Sequence, residues 1–193
     1  MLLAPWRSLL TGALHRNRSL PYARYVQLAT VRPNGRPANR TLVFRGFLDG
    51  TNQLQFVTDD RSQKVSEIGT SPWGEVCWYF PQTREQFRIA GSLVLVRSGD
   101  PDPTRQQAHA AAWQNLSDAA RQQFTWPHPG QGRGDAAAFQ AQKPDEMHPL
   151  SQFCLLLLEP DRVDHLQLRG DPQNRSLYLK TQDLNWSIQT VNP

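Results

Sequence analysis

At 193 residues, with 38% hydrophobic and 20% charged side chains, the chain fits one domain with a sizeable core. Two cysteines exclude a disulfide framework, and no apolar stretch is long enough to span a membrane. The net charge is only +4, yet eight arginines (Arg7, Arg16, Arg18, Arg24, Arg32, Arg36, Arg40, Arg45) precede the first acidic residue, Asp49. That asymmetry points to an anionic partner, nucleic acid or a phosphorylated small molecule; for most of these arginines a solvated basic face is the simpler reading.

In chain order, Pro5 to Leu10 with Ala13 and Leu14 reads as an amphipathic helix of the domain. The same stretch is Arg-rich and acid-poor, like an organelle transit peptide. The domain reading is preferred, and with it a cytoplasmic location. Tyr25 to Val31 is rich in strand formers, and Pro33-Asn34-Gly35-Arg36-Pro37 supplies turn chemistry. Two strands follow, Arg40 to Arg45 and Leu54 to Thr58, separated by a turn at Asp49-Gly50. Ser62 is placed to cap a helix through Val65 and Ile68, its hydroxyl accepting a backbone N–H. This arrangement gathers Arg40, Arg45, Thr58, Ser62 and Lys64, a set suited to a phosphate monoester on a flat apolar body.

Glu75 to Phe80 reads as a strand, and Gln86 to Val96 as a long one with a bulge at Gly91. Asp102-Pro103-Thr104 starts one helix and Ser117 caps another. The tract from Trp126 to Pro149 is a long loop rich in Pro, Gly and Gln, of a length that is usually functional or disordered. Strands return at 153–159, 163–168, 176–179 and 186–191. The pattern predicts a mainly β fold: one domain over 1–193, an antiparallel barrel of six to eight strands with flanking helices and a helical and loop insertion at about 102–150.

The five histidines are scattered without ligand spacing, so no metal site is expected. Cys77 and Cys154 sit in apolar runs and read as small core residues in a reducing compartment. No nucleophile elbow or glycine-rich phosphate loop is present. Catalytic residues cannot be named on this basis.

The order of pieces resembles the pyridoxamine 5'-phosphate oxidase superfamily of FMN-binding split barrels. Arg40-Thr41-Leu42-Val43-Phe44-Arg45-Gly46-Phe47 matches a strand of the form R-x-V-L-L-K-G-F. Phe56-Val57-Thr58 and Ser62-Gln63-Lys64 match F-Y-T and S-R-K, Trp78 to Pro81 matches an aromatic strand ending in Pro, and Glu85 to Gly91 matches R-Q-V-R-I-x-G. Arg175 to Tyr178 and Trp186 to Pro193 resemble the closing hairpin. The resemblance implies FMN as cofactor and a homodimer holding it in the interface groove. Arg40, Ser62 and Lys64 would take the phosphate, with Gln63 standing where an Arg is usual. Thr41, Leu42 and Val43 would line the ring on one side, with Val57 and Thr58 opposite. Gln86 would reach across the dimer interface, Arg175 would come from the last strands, and Arg45 would replace a substrate-side Lys.

The departures fall in the vitamin half. A motif Y-x-x-x-R-P-x-x-S-Q is replaced by Trp113 to Arg121, and an R-x-H pair by Asp171-Pro172-Gln173-Asn174. Arg121, Arg133 and Arg169 lie in or near the rewritten segments and are the candidates to restore the missing charge. The reading is therefore an FMN-dependent oxidoreductase on an unassigned small substrate, with a non-catalytic flavin or ligand carrier as the alternative. Oxidation of pyridoxamine 5'-phosphate is not expected. A nucleic-acid role would need exposed aromatics among the arginines, whereas the N-terminal aromatics fall mostly at core-like positions. Replacing Arg40 and Lys64 together by Ala reads as fold-neutral at this level.

Overall fold

In the computed structural model, which describes residues 3–193, the first element is helix α1 (Pro5–Arg16). Pro5 starts it without losing a needed hydrogen bond. Trp6, Leu10 and Ala13 fall on one face and are buried. Trp6 is wholly enclosed and meets the rings of Phe47 and Trp186 with centroids 6.3 and 5.7 Å away. Burying a side chain of that size contributes at least about 1.5–3 kcal/mol. The N-terminal helix therefore plugs one end of the fold.

Strands β1 (Tyr25–Val31) and β2 (Pro37–Val43) form a hairpin. Its turn holds Gly35 at φ +77°, a conformation that favours glycine. The two-residue β3 (Gly46–Phe47) pairs with β4 (Leu54–Asp59), and helix α2 (Gln63–Thr70) leads to the hairpin of β5 (Trp73–Phe80) and β6 (Glu85–Val96). Helices α3 (Pro103–Gln114) and α4 (Asp118–Gln122) occupy the connection that follows. Asp102 and Ser117 cap them through their side chains, as their sequence positions suggested. The loop beyond α4 contains one short 3-10 turn, Ala136–Phe139. Strands β7 (Phe153–Gln167), β8 (Asn174–Lys180) and β9 (Trp186–Val191) complete the sheet.

All pairings are antiparallel, and the order is β2-β1-β5-β6-β7-β4-β3, with β8 and β9 branching from β7. The first half of β7 pairs with β4 and the second half with β8, while β6 runs along both. One long strand thus replaces the two expected at 153–159 and 163–168. The expected break at Pro160 does not occur because Pro160 lies at a bulge opposite Gly91, where its missing N–H costs no ladder bond. A Cβ at Gly91 would come within 2.0 Å of the Glu159 carbonyl oxygen, so only glycine fits there. The sheet curls around Phe44, Phe56, Trp78, Phe80 and Phe87 as a split barrel. It has nine strands, including the two-residue β3.

Two smaller expectations change. Ser62 takes the N-cap position of α2, but its side chain makes no capping bond. Cys154 is buried as expected, whereas Cys77 is half-buried on the outward face of β5, where the alternation of the strand puts it. No described helix is long and apolar enough to cross a membrane.

Candidate functional site

The barrel is split where β2 approaches β4 without pairing along its length. At one end the gap is bridged, because the Arg45 backbone N–H donates to the Gln55 carbonyl at 2.9 Å. Above that bridge lies a groove of about 370 Å³. Thr41, Leu42 and Val43 line one side, Val57 and Thr58 the other, and Lys64 closes the end. Leu116, Phe124 and Trp126 from the β6–β7 connection complete the wall. Its volume and its apolar walls with few polar groups are those of a small-molecule site.

Lys64 carries the chemistry of this groove. Its Nζ donates to Thr58 Oγ1 and to Ser62 Oγ, both at 2.9 Å. Both acceptors are neutral hydroxyls, and no carboxylate pairs with the ammonium among the described residues. Burial, then the neighbouring positive charge of Arg40, pushes the Lys64 ammonium below its ordinary pKa. A desolvated cation without a counter-ion is costly, and an anion placed among Lys64, Thr58 and Ser62 would relieve that cost. The Ser62 hydroxyl, drawn to Lys64, is therefore spent on this cluster and not on the helix cap.

Arg40 is placed differently from the expectation of a freely available ligand. Its Nη2 donates to Glu67 Oε2 at 2.6 Å, and its Nη1 donates to Thr30 Oγ1 at 2.5 Å and to the Leu28 carbonyl at 3.3 Å. Glu67 is only 1% exposed, and it also accepts from Thr30 Oγ1 at 2.6 Å. Burial raises the Glu67 carboxyl, but the Thr30 and Arg40 hydrogen bonds and the charges of Arg40 and Arg32 outweigh it, and its pKa is lowered overall. Arg40 thus contributes positive potential beside Lys64 while its fork is held by a buried carboxylate. Glu67 was missed by sequence reasoning. The signal was present: Lys64 and Glu67 stand three residues apart on one helix and share a face.

The remaining candidates divide into two groups. Arg45 lines the groove from the bridged end. Gln63 is exposed and does not line the groove. Gln86 and Arg175 lie elsewhere, in one row across the sheet, where Tyr79 pairs with Gln86, Gln86 with Leu166 and Leu166 with Arg175. Arg175 grips Asp164 through two bonds of 3.0 and 2.8 Å. Within one chain neither residue reaches the groove.

The long loop is anchored at the groove rim. Arg61 is held by Asp59 through bonds of 2.9 and 2.6 Å, and it donates to the carbonyls of Phe124 and Trp126 at 3.3 and 3.1 Å. Trp126 packs edge-on against Phe139 at 5.7 Å. Three arginines that could have restored the missing substrate charge are committed or remote. Arg121 is 4% exposed, donates to the carbonyls of Trp113, Gln114 and Leu116, and pairs with Asp118. Arg133 lies over the Phe139 ring at 5.3 Å, and Arg169 donates to the Gln82 carbonyl.

A curled antiparallel barrel, split beside an apolar groove that ends in an ammonium bonded only to hydroxyls, has the shape and charge to suit a flat molecule with a phosphate tail. A family model described as pyridoxamine 5'-phosphate oxidase, FMN-binding domain, matches residues 3–97. A protein of Arabidopsis thaliana named pyridoxine/pyridoxamine 5'-phosphate oxidase 2 is 41% identical over 194 residues, covering 99% of this chain and 98% of its own length. The crystal structure of a pyridoxamine 5'-phosphate oxidase-related, FMN binding protein from Nostoc punctiforme is 60% identical with a TM-score of 0.97, covering 100% of both chains. PhzG from Burkholderia lata, solved with tetrahydrophenazine-1-carboxylic acid, shares the fold at a TM-score of 0.76 and 20% identity, covering 97% of this chain and 89% of its own. The chain belongs to the FMN-binding family of pyridoxamine 5'-phosphate oxidase, and FMN is its cofactor.

Proposed function

We propose that the protein is an FMN-dependent oxidoreductase that works as a homodimer on a small substrate other than pyridoxamine 5'-phosphate. The observation that carries this reading is Lys64, a desolvated ammonium bonded only to hydroxyls at the end of an apolar groove. Lys64, Ser62 and Thr58 hold the cofactor phosphate, and Arg40, fixed by Glu67, adds positive potential behind them. Leu42 and Val43 support the ring on one side and Val57 on the other. FMN, when bound, supplies the two-electron redox chemistry. The chain's own residues bind and orient it, and the anchored loop at Trp126 excludes water from the ring.

The homodimer rests on the placement of Gln86 and Arg175. Both share the outward sheet face, away from Lys64, so they serve a groove only if a second copy brings its own to that face. The same face exposes Tyr25, Trp73 and Tyr79 at 48%, 56% and 46%, an aromatic surface that a partner would cover. We read the chain as one domain over 1–193 with a helical and loop insertion at about 102–150, within the connection between β6 and β7, and its unpaired cysteines as those of a cytoplasmic protein.

The full-length Arabidopsis relative bears the name of a vitamin phosphate oxidase, so pyridoxamine 5'-phosphate is the first substrate to assay. Arg121 is buried among carbonyls and Pro172-Gln173-Asn174 offers no cation, so the groups expected to hold that substrate are missing. Losing several charge-assisted bonds, each about 1.5–3 kcal/mol, lowers transition-state binding by roughly a thousandfold or more. A steady-state assay of pyridoxal 5'-phosphate formation by FMN-loaded protein is expected to show little turnover. A rate comparable to an authentic oxidase would overturn the substrate reading.

A further inference from the structure

The loop from Trp126 to Pro149 is tied at both ends to one short turn, residues 59–62 between β4 and α2. At its start, Arg61 Nη2 donates to the carbonyls of Phe124 and Trp126. At its end, the Asp60 backbone N–H donates to the Gln152 carbonyl at 2.8 Å, and Gln152 Nε2 reaches back to the Phe124 carbonyl at 2.6 Å. Asp59 fixes the Arg61 fork, accepting from its backbone N–H at 2.8 Å as well as from its side chain. The same turn runs straight into Ser62 and Lys64, read above as phosphate ligands, and the Ser62 N–H donates to the Asp59 carbonyl at 3.0 Å. One hydrogen-bonded turn thus carries the phosphate cluster on one side and the neck of the loop on the other.

We propose that Arg61 is a positioning residue that couples occupancy of the phosphate site at Ser62 and Lys64 to closure of the 126–149 loop over the groove. This rests on the flavin reading above and adds that the Trp126 wall is set by the cofactor. In the free protein the Lys64 ammonium has only two hydroxyl partners. An anion bound there gives the turn an ionic partner and restrains its backbone, so the loop carbonyls meet a guanidinium already fixed in place. Ordering the turn once lowers the entropic cost of ordering the loop, and the two events favour each other. Such coupling is reciprocal: the factor by which FMN closes the loop is the factor by which the closed loop tightens FMN. Arg61 suits the role. Its acceptors in the loop are backbone carbonyls, and its charge is balanced by Asp59 at 2.6 Å, so it grips the loop without competing for the phosphate. Trp126, which lines the groove, is the side chain this latch places.

The test is amide hydrogen exchange, read by mass spectrometry, on FMN-free and FMN-loaded protein. In the parent, FMN should slow exchange across the turn and across the loop, the loop by about tenfold, within the usual range of coupling between sites. In Arg61→Gln, FMN should still protect the turn, because Ser62 and Lys64 are untouched, but the loop should exchange alike with and without it. FMN affinity, from flavin fluorescence, should weaken by the same factor. Arg61→Lys should fall between, since it keeps the charge beside Asp59 and loses the fork. Exchange in β5 and β6 controls for the fold; if Arg61→Gln loosens those strands, the Lys variant decides alone. Full loop protection by FMN in the variants would overturn the coupling, as would a parent loop indifferent to FMN while the turn is protected. Bound FMN that leaves even the turn unprotected would instead overturn the phosphate placement, and the coupling with it.

Discussion

Replacing Lys64 by Met separates what this residue does for the cofactor from what it does for the fold. In the free protein its Nζ has two hydroxyl partners at 2.9 Å and no carboxylate. Burial and Arg40 both lower its pKa, so its charged form is disfavoured in the folded state. Met keeps the length and the apolar stem and removes the charge. The apo protein should therefore melt at a higher temperature than the parent, because an uncompensated buried cation is gone. FMN binding should weaken, because a charge-assisted bond to phosphate contributes about 1.5–3 kcal/mol, equal to roughly tenfold to 150-fold in Kd. Titration of apo protein with FMN, followed by flavin fluorescence, gives the second quantity, and thermal unfolding gives the first. Unchanged FMN affinity in a folded Lys64→Met protein would refute the reasoning. The double replacement of Arg40 and Lys64 by Ala, which looked fold-neutral from sequence, is a poorer test. Removing Arg40 would leave Glu67, 1% exposed, with only the looser Arg32 at 3.9 Å, and breaking a buried pair costs up to about 3–5 kcal/mol.

Gly91→Ala should destabilise the fold by about 3 kcal/mol, read from denaturant midpoints, because its Cβ would meet the Glu159 backbone at 2.0 Å; a wild-type midpoint would show that the bulge is not needed. Stability should fall as pH drops below about 6.5. His165 is buried against Glu85 at 2.9 Å, and burial lowers its pKa from the ordinary 6.5 despite the pull of Glu85. The unfolded chain therefore binds the extra proton first, and His165→Gln should flatten this part of the Tm profile. Glu67 and Glu85, both held below the ordinary 4.5, should add a second loss as pH falls through their lowered values. Sedimentation should show a two-chain species, and Trp73→Glu with Tyr79→Glu on the exposed sheet face should shift it to one chain without unfolding it.

Much of the fold was legible because strand period and turn chemistry act locally. The buried face of α1, the Gly35 turn and the caps at Asp102 and Ser117 all follow from neighbouring residues. The continuity of β7 was not legible, because Pro160 is tolerated only through Gly91, a residue of another strand. Within the site, Lys64, Ser62 and Thr58 lie within seven positions, and a strand-to-helix turn brings them together. The grip of Glu67 on Arg40 depends on α2 packing against β1, across which Arg40 of β2 reaches, a tertiary fact that could be suspected only from the helical spacing to Lys64.

The central claim is that the groove between β2 and β4 holds FMN with its phosphate at Lys64. A crystal structure of the FMN-loaded protein tests it most directly. The account predicts phosphate oxygens in hydrogen-bond contact with Lys64 Nζ and Ser62 Oγ, the ring against Leu42 and Val43, and Gln86 of a second copy at the ring edge. FMN seated elsewhere, or held in this groove with its phosphate turned away from Lys64, would contradict it.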